Sequence, residues 1–238
     1  MKCQKYKGYN LYFFQDKYEK ILEKILNKEY LTIEELKVTK RSYIAVIEID
    51  EKKYVIKESR NEYRLLQRKI LTLFKRGEVV NTLENIHRLR EEYGIKEYGD
   101  IFGGINRRKY GMIDYNLLLM EYVGKEIFPE TLDKMMVLMK KIHSLGYYHG
   151  DFNPSNFIVT ESGNLKIVDT QGKKMTFGNY RAHYDMLTMK MDSFPEMEYP
   201  YKKNIYYYLA LFMKEFKKNK YVEEFKRVKN RLRDKRRK

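Results

Sequence analysis

Cysteine is nearly absent from this chain of 238 residues: Cys3 stands alone, so no internal disulfide framework can form, and the composition suits a reducing compartment. Long apolar runs are absent too. The longest, Ile205 to Met213, falls far short of a bilayer-spanning helix, and residues 1 to 8 hold no uninterrupted apolar core of the kind that directs export. A soluble or peripheral cytoplasmic protein is therefore expected. Internal repeats are missing, and acids are in short supply. Lys and Arg number 49 against 33 Asp and Glu, leaving a formal net charge of +16. Such a field favours an anionic partner, whether nucleic acid, acidic lipid or phosphorylated saccharide, although a Lys-rich surface can equally serve solubility alone. Hydrophobic residues still reach 43% and aromatics 15%, enough to support a core in one compact domain or two closely packed lobes.

The apolar spacing of Tyr18, Ile21, Leu22, Ile25 and Leu26 predicts an amphipathic helix over 16–28. Residues 38–49 and 53–58 read as two strands around a polar turn at Asp50-Glu51-Lys52, followed by helices near 61–75 and 81–93 that break at Gly77. Strand character returns near 100–107 and again at 115–123. A buried helix runs from Pro129 to Leu145, its methionines serving as core, and ends at Gly146. A small hairpin turning at Gly163 or Asn164 follows, and the rest is helical. The boundary between a sheet-rich front half, 1–123, and a helix-rich back half, 124–238, falls at Gly124-Lys125.

The chemistry concentrates in His149-Gly150-Asp151-Phe152-Asn153-Pro154-Ser155-Asn156-Phe157, with Asp169 thirteen residues after Asn156. Phosphoryl transfer needs an acceptor-orienting base, oxygen ligands for a metal and a fixed cation. Asp151 is the candidate base, Asn156 an oxygen ligand for Mg²⁺, and Asp169 the carboxylate joining metal to nucleotide phosphates. An Asp/Asn-rich turn satisfying its own backbone amides is the plainer reading. In Tyr54-Val55-Ile56-Lys57, strand alternation puts Val55 and Lys57 on one face, Val55 to cover a base and Lys57 to reach phosphates. Glu62 is the first candidate to orient the Lys57 ammonium, and Glu84 is its competitor.

Val55-Ile56-Lys57, Met120-Glu121-Tyr122-Val123, His149-Gly150-Asp151 with Asn156, and Asp169 together resemble the protein-kinase-like superfold, in the form common to small-molecule and sugar kinases. Residues 53–57, 60–64, 107–114 and 118–122 are similar, more closely, to the lipopolysaccharide core heptose kinase family of the heptose II type. The resemblance implies an α+β, two-lobed fold with a small antiparallel-sheet lobe and a mainly helical lobe. It implies ATP and Mg²⁺ as cofactors, adenine held by the backbone of Glu121 and Val123, His149 bracing the catalytic loop, and Asp185 anchoring that loop's backbone. The implied substrate is a heptose of the lipopolysaccharide core oligosaccharide or its lipid-linked precursor.

Two absences depart from that pattern. The nucleotide-covering loop lacks glycines and reads Thr39-Lys40-Arg41-Ser42-Tyr43, so phosphate contact falls to Arg41, Ser42 or backbone amides. Asp169 is followed by Thr170-Gln171-Gly172 rather than Phe-Gly, and no Ala-Pro-Glu comes after, which argues against peptide substrates. A protein Ser/Thr kinase and an aminoglycoside-type phosphotransferase would use the same core residues. A nucleic-acid-binding module would explain the charge and the 23 tyrosines but not the ordered Lys57, Asp151, Asn156 and Asp169, and a pseudokinase scaffold is countered by that intact series. Nucleic acid is accordingly not the expected partner. The basic stretch 226–238 is expected to seek anions, either as a solvated tail or as a contact with the anionic inner-membrane surface.

Overall fold

The computed structural model describes residues 1–124, 132–160 and 162–218. In chain order the elements are β1 (Lys2–Tyr6), β2 (Tyr9–Phe13), α1 (Lys17–Asn27), β3 (Leu31–Val38), β4 (Tyr43–Ile49), β5 (Lys52–Glu58), α2 (Asn61–Arg64), α3 (Leu66–Leu71), α4 (Glu78–Glu91), β6 (Ile101–Lys109) and β7 (Met112–Glu121). Then come α5 (Leu132–Ser144), β8 (Tyr147–Tyr148), β9 (Phe157–Val159), β10 (Leu165–Ile167), β11 (Lys173–Lys174), α6 (Tyr180–Asp192) and α7 (Ile205–Lys218). They group into two units, Met1–Glu130 with Phe157–Gly172, and Thr131–Asn156 with Lys173–Lys238.

In the first unit, seven antiparallel strands lie in the order β1-β2-β6-β7-β5-β4-β3. Three hairpins turn on residue pairs that both hold positive φ, Lys7-Gly8, Asp50-Glu51 and Tyr110-Gly111, with values from 47° to 79°. That backbone matches the right-handed twist of the flanking strands and so fixes the register. One sheet face carries Leu11, Phe13, Ile47, Tyr54, Ile56, Ile105, Leu117 and Leu119, which pack with Tyr18, Leu22 and Ile25 of α1 into one cluster. Each fully buried Leu or Ile there contributes roughly 2 kcal/mol. The other face receives α4 through Val79, Val80, Leu83, Ile86 and Leu89. Two adjacent glycines of β6 admit both helices. A methyl group on Gly103 would meet Leu22 of α1 at 3.0 Å, and one on Gly104 would meet Val79 of α4 at 2.3 Å.

In the second unit α5 buries Met135, Leu138, Met139 and Ile142 and stops at Gly146, whose φ of +79° suits a helix C-terminus. β8 pairs with β11, and α6 packs on α7, where buried Lys214 reaches Asp192 at 2.6 Å.

Several elements differ from the sequence reading. The strand expected over 38–49 is two strands separated by a four-residue loop, and β1 and β2 come from a stretch assigned no element. The helix expected over 61–75 breaks at Leu65, whose ψ of 111° is extended. A single cut after Val123 does not describe the division either. Phe157–Gly172 groups with the sheet, tied there by the Gly99 N–H to Ile167 O bond and the Ile167 N–H to Glu97 O bond. The basic stretch 226–238 lies outside the described residues.

Candidate functional site

Alternation along β5 turns Tyr54 and Ile56 into the α1 cluster and leaves Val55 and Lys57 on the opposite face. There the Lys57 ammonium is paired with the Asp169 carboxylate, across 112 positions of sequence. Both line a cleft of about 670 Å³ whose walls also carry Lys37, Lys40, Arg41, Ser42, Arg68 and Glu78. Five cations, Lys37, Lys40, Arg41, Lys57 and Arg68, therefore face two acids, Glu78 and Asp169, and the cleft is built for a multiply charged anion. Arg41 and Ser42 were expected at this site. Lys37, Lys40 and Arg68 were not, because nothing in their spacing separates them from the other basic residues.

The loop that lacks glycines is held in shape by its own threonine. Thr39 Oγ1 accepts from the N–H groups of Arg41 (3.2 Å) and Ser42 (3.0 Å) and donates to Ser42 O. Its carbonyls are fastened outward, Thr39 O by Arg60, Lys40 O by Arg64 and Arg41 O by the Asn61 N–H. A glycine-rich loop offers its amides to phosphate. In this chain the amides of Arg41 and Ser42 are already engaged, so anion contact falls to side chains of Lys40, Arg41 and Ser42.

Asp169 sits in the left-handed region at φ +54°, and the residues after it are clamped onto α4. Asn85 Nδ2 donates to Gln171 O at 3.1 Å, and Gly172, at φ +53°, packs where a methyl group would meet Leu89 at 2.7 Å and Ile86 at 2.9 Å. Gly172 thus serves close packing as well as the backbone bend.

Glu62 is not where the sequence reading expected it. Its carboxylate accepts from the Glu78 N–H at 2.7 Å and from Asn116 Nδ2 at 2.6 Å, capping the start of α4 and tying it to β7. Burial pushes its pKa above the ordinary carboxylate value, against the lowering pull of those two hydrogen bonds. Glu84, the competitor, is engaged by both terminal nitrogens of Arg76 at 2.7 Å. The acid that shares the cleft with Lys57 is instead Glu78, which accepts from Ser59 Oγ at 2.7 Å. Its one sequence signal was its position directly after the helix-starting Gly77.

The segment expected to hold adenine ends β7. The Glu121 N–H donates to Asp100 O, and its carboxylate accepts from the Asp100 N–H and from Lys166 Nζ. Its backbone N–H is therefore already engaged. Glu121 and Val123 line a second, smaller cavity of about 40 Å³, which shares Asp169 with the large cleft.

In the second unit Asp151 is exposed and Asn156 is buried. Asn156 Nδ2 donates to Asp151 O at 2.8 Å, which leaves Oδ1 as the end of the amide for a hard cation. Asp185 accepts from the His149 N–H (2.7 Å) and the Gly150 N–H (2.9 Å), while His143 Nε2 lies 3.3 Å from it and His143 Nδ1 meets the Tyr201 hydroxyl at 2.7 Å. The loop that presents Asp151 is thus braced by a buried carboxylate, and the His149 ring contributes its Nδ1 to the Asp151 N–H at 3.3 Å. No cluster of three or more His, Cys, Asp or Glu suited to a metal occurs among the described residues. Asn156 in the second unit and Asp169 in the first each offer an oxygen of the kind Mg²⁺ takes.

The model of a family described as "Lipopolysaccharide core biosynthesis protein (WaaY)" matches residues 1–231. Among curated proteins the chain is similar to the cell cycle protein kinase DBF2 of Saccharomyces cerevisiae, 24% identical over 161 residues, covering 66% of this chain and 26% of that protein. It is also similar to the RIO-type serine/threonine-protein kinase Rio2 of Methanocaldococcus jannaschii, 27% identical over 99 residues (42% and 35%). A third is the 3-phosphoinositide-dependent protein kinase 1 of Arabidopsis thaliana, 26% identical over 129 residues (53% and 24%). The chain spans about a quarter to a third of the length of these relatives. A sheet-rich unit and a mainly helical one, with kinases among the relatives, make up the protein-kinase-like α+β fold.

Proposed function

Because this chain belongs to the WaaY family of lipopolysaccharide core biosynthesis proteins, we propose that it is a sugar kinase, transferring the γ-phosphate of ATP to a hydroxyl of a heptose in the lipopolysaccharide inner core. The observation that carries the kinase reading is the Lys57–Asp169 ion pair inside a cleft lined by four further cations. A triphosphate is the kind of ligand that needs so many cations at once. Lys57, in the cleft that Glu78 also lines, binds the phosphates, with Lys40, Arg41 and Ser42 closing on them through side chains. Asp151 accepts the proton of the attacking hydroxyl. Asn156 and Asp169 are the residues that would offer oxygens to Mg²⁺, which would neutralise charge on the phosphates. The backbone of Glu121 and Val123 binds adenine, and Val55 covers it.

A protein kinase is the second reading, favoured by the names of the three curated relatives. Both readings use the same residues, and the acceptor separates them. The test is ATP consumption by wild type, Asp151→Asn and Asp169→Asn with purified core oligosaccharide and, in parallel, a mixture of Ser/Thr peptides. Wild type is expected to turn over on the oligosaccharide alone, and each variant to lose about a hundredfold or more. Turnover on peptides and not on oligosaccharide would transfer the assignment to the second reading, and unchanged turnover in both variants would end the kinase reading.

A further inference from the structure

From Leu65 to Arg76 the chain is folded inside out. Thr72 is the one buried residue of the stretch, at 3% exposure, while Leu66 is 70% exposed, Phe74 84%, and Ile70, Leu71 and Leu73 between 45% and 47%. Hydrogen bonds hold this stretch to the sheet. Thr72 Oγ1 accepts the Ile113 N–H at 2.9 Å, and the Arg108 guanidinium donates to Thr72 O at 2.8 Å and to Lys75 O at 2.7 Å. The apolar side chains are thereby left pointing at solvent. The β6–β7 turn extends the patch: Tyr110 is 83% exposed, and a methyl group on Gly111 would meet Leu73 at 3.0 Å.

The charge of the same stretch is one-sided. Arg64, Arg68, Lys69, Lys75 and Arg76 fall within thirteen residues that contain no acid; Arg68 also lines the cleft, and Arg76 is held by Glu84. Exposed Leu, Ile, Phe and Tyr set among Lys and Arg have the chemistry of a segment lying in the headgroup layer, apolar groups at the acyl boundary and cations on lipid phosphates. A soluble polyanion would engage the cations and leave Leu66 and Phe74 in water. We propose that residues 64–76, with the Tyr110 turn, form a docking surface for an anionic lipid bilayer. This inference does not depend on the reaction the protein catalyses.

The chain contains no tryptophan, so Phe74→Trp would be its sole indole reporter. With vesicles of equal parts phosphatidylglycerol and phosphatidylcholine, the full-length variant is expected to shift its emission to the blue and to be quenched by brominated acyl chains. Phosphatidylcholine alone should give a much smaller response. Adding Leu66→Ser and Leu73→Ser should weaken vesicle binding about tenfold or more. Urea denaturation of the variants checks that these exposed positions leave the fold intact. Emission indifferent to anionic vesicles overturns the proposal, and so does vesicle binding that survives both serines undiminished. A blue shift without lipid, accompanied by a doubled mass in analytical ultracentrifugation, overturns it in favour of contact between two copies.

Discussion

Glu62 shows how much a single carboxylate can be asked to hold. It sits largely buried, accepts the first N–H of α4 and the Asn116 amide, and its pKa is raised by burial despite both bonds. The folded chain therefore keeps the Glu62 proton to higher pH than the unfolded chain does. Its contribution to stability is full below its unfolded pKa and is lost as pH rises through the raised folded value. In urea denaturation across the acid range, wild type should gain stability relative to Glu62→Gln as pH falls through that window. A difference between the two that stays constant with pH would contradict this account. Glu78, in contrast, belongs to the cleft, and the sequence could not separate the two because acids at the start of a helix are common for reasons of helix dipole alone.

At the scale of elements, β6 lies between two helices, and Gly103-Gly104 sets how close they come. Alanine at 104 would bring a methyl group 2.3 Å from Val79 Cγ1 and 3.2 Å from Leu117 O, against a stiff, buried side chain at the start of α4. Gly104→Ala is expected to cost about 1–3 kcal/mol, read as a lower urea midpoint. A midpoint unchanged from wild type would show that α4 moves away without penalty. The elements themselves were unevenly legible. Helix α1, the Asp50-Glu51 hairpin, α5 with its Gly146 stop and the 157–167 hairpin all follow from apolar period and turn residues. The break at Leu65 did not, since Leu66, Ile70 and Leu73 recur at helical spacing while facing solvent, and period reports a face without saying what that face meets. β3 was missed for a related reason: all eight of its residues are exposed at the sheet edge, so it shows no burial alternation to read.

Across the whole molecule, the net charge of +16 indicated an anionic partner but could not locate it. Part of that charge now has a place, Lys37, Lys40, Arg41, Lys57 and Arg68 around one cleft. Lys57, Asp151, Asn156 and Asp169 stood out in the sequence because phosphoryl transfer needs a fixed cation, a base and metal-binding oxygens, and of these the structure pairs Lys57 with Asp169. The added cations did not stand out, because they reach the cleft from β3, its following loop and α3 by folding alone. The central claim is that this chain phosphorylates a sugar of the lipopolysaccharide core. Mass spectrometry of lipopolysaccharide from cells lacking the gene, complemented with wild type or with Asp151→Asn, tests it most directly. The account predicts that one core phosphate is lost without the gene, returns with wild type and does not return with Asp151→Asn; core phosphate that is the same in all three would contradict it.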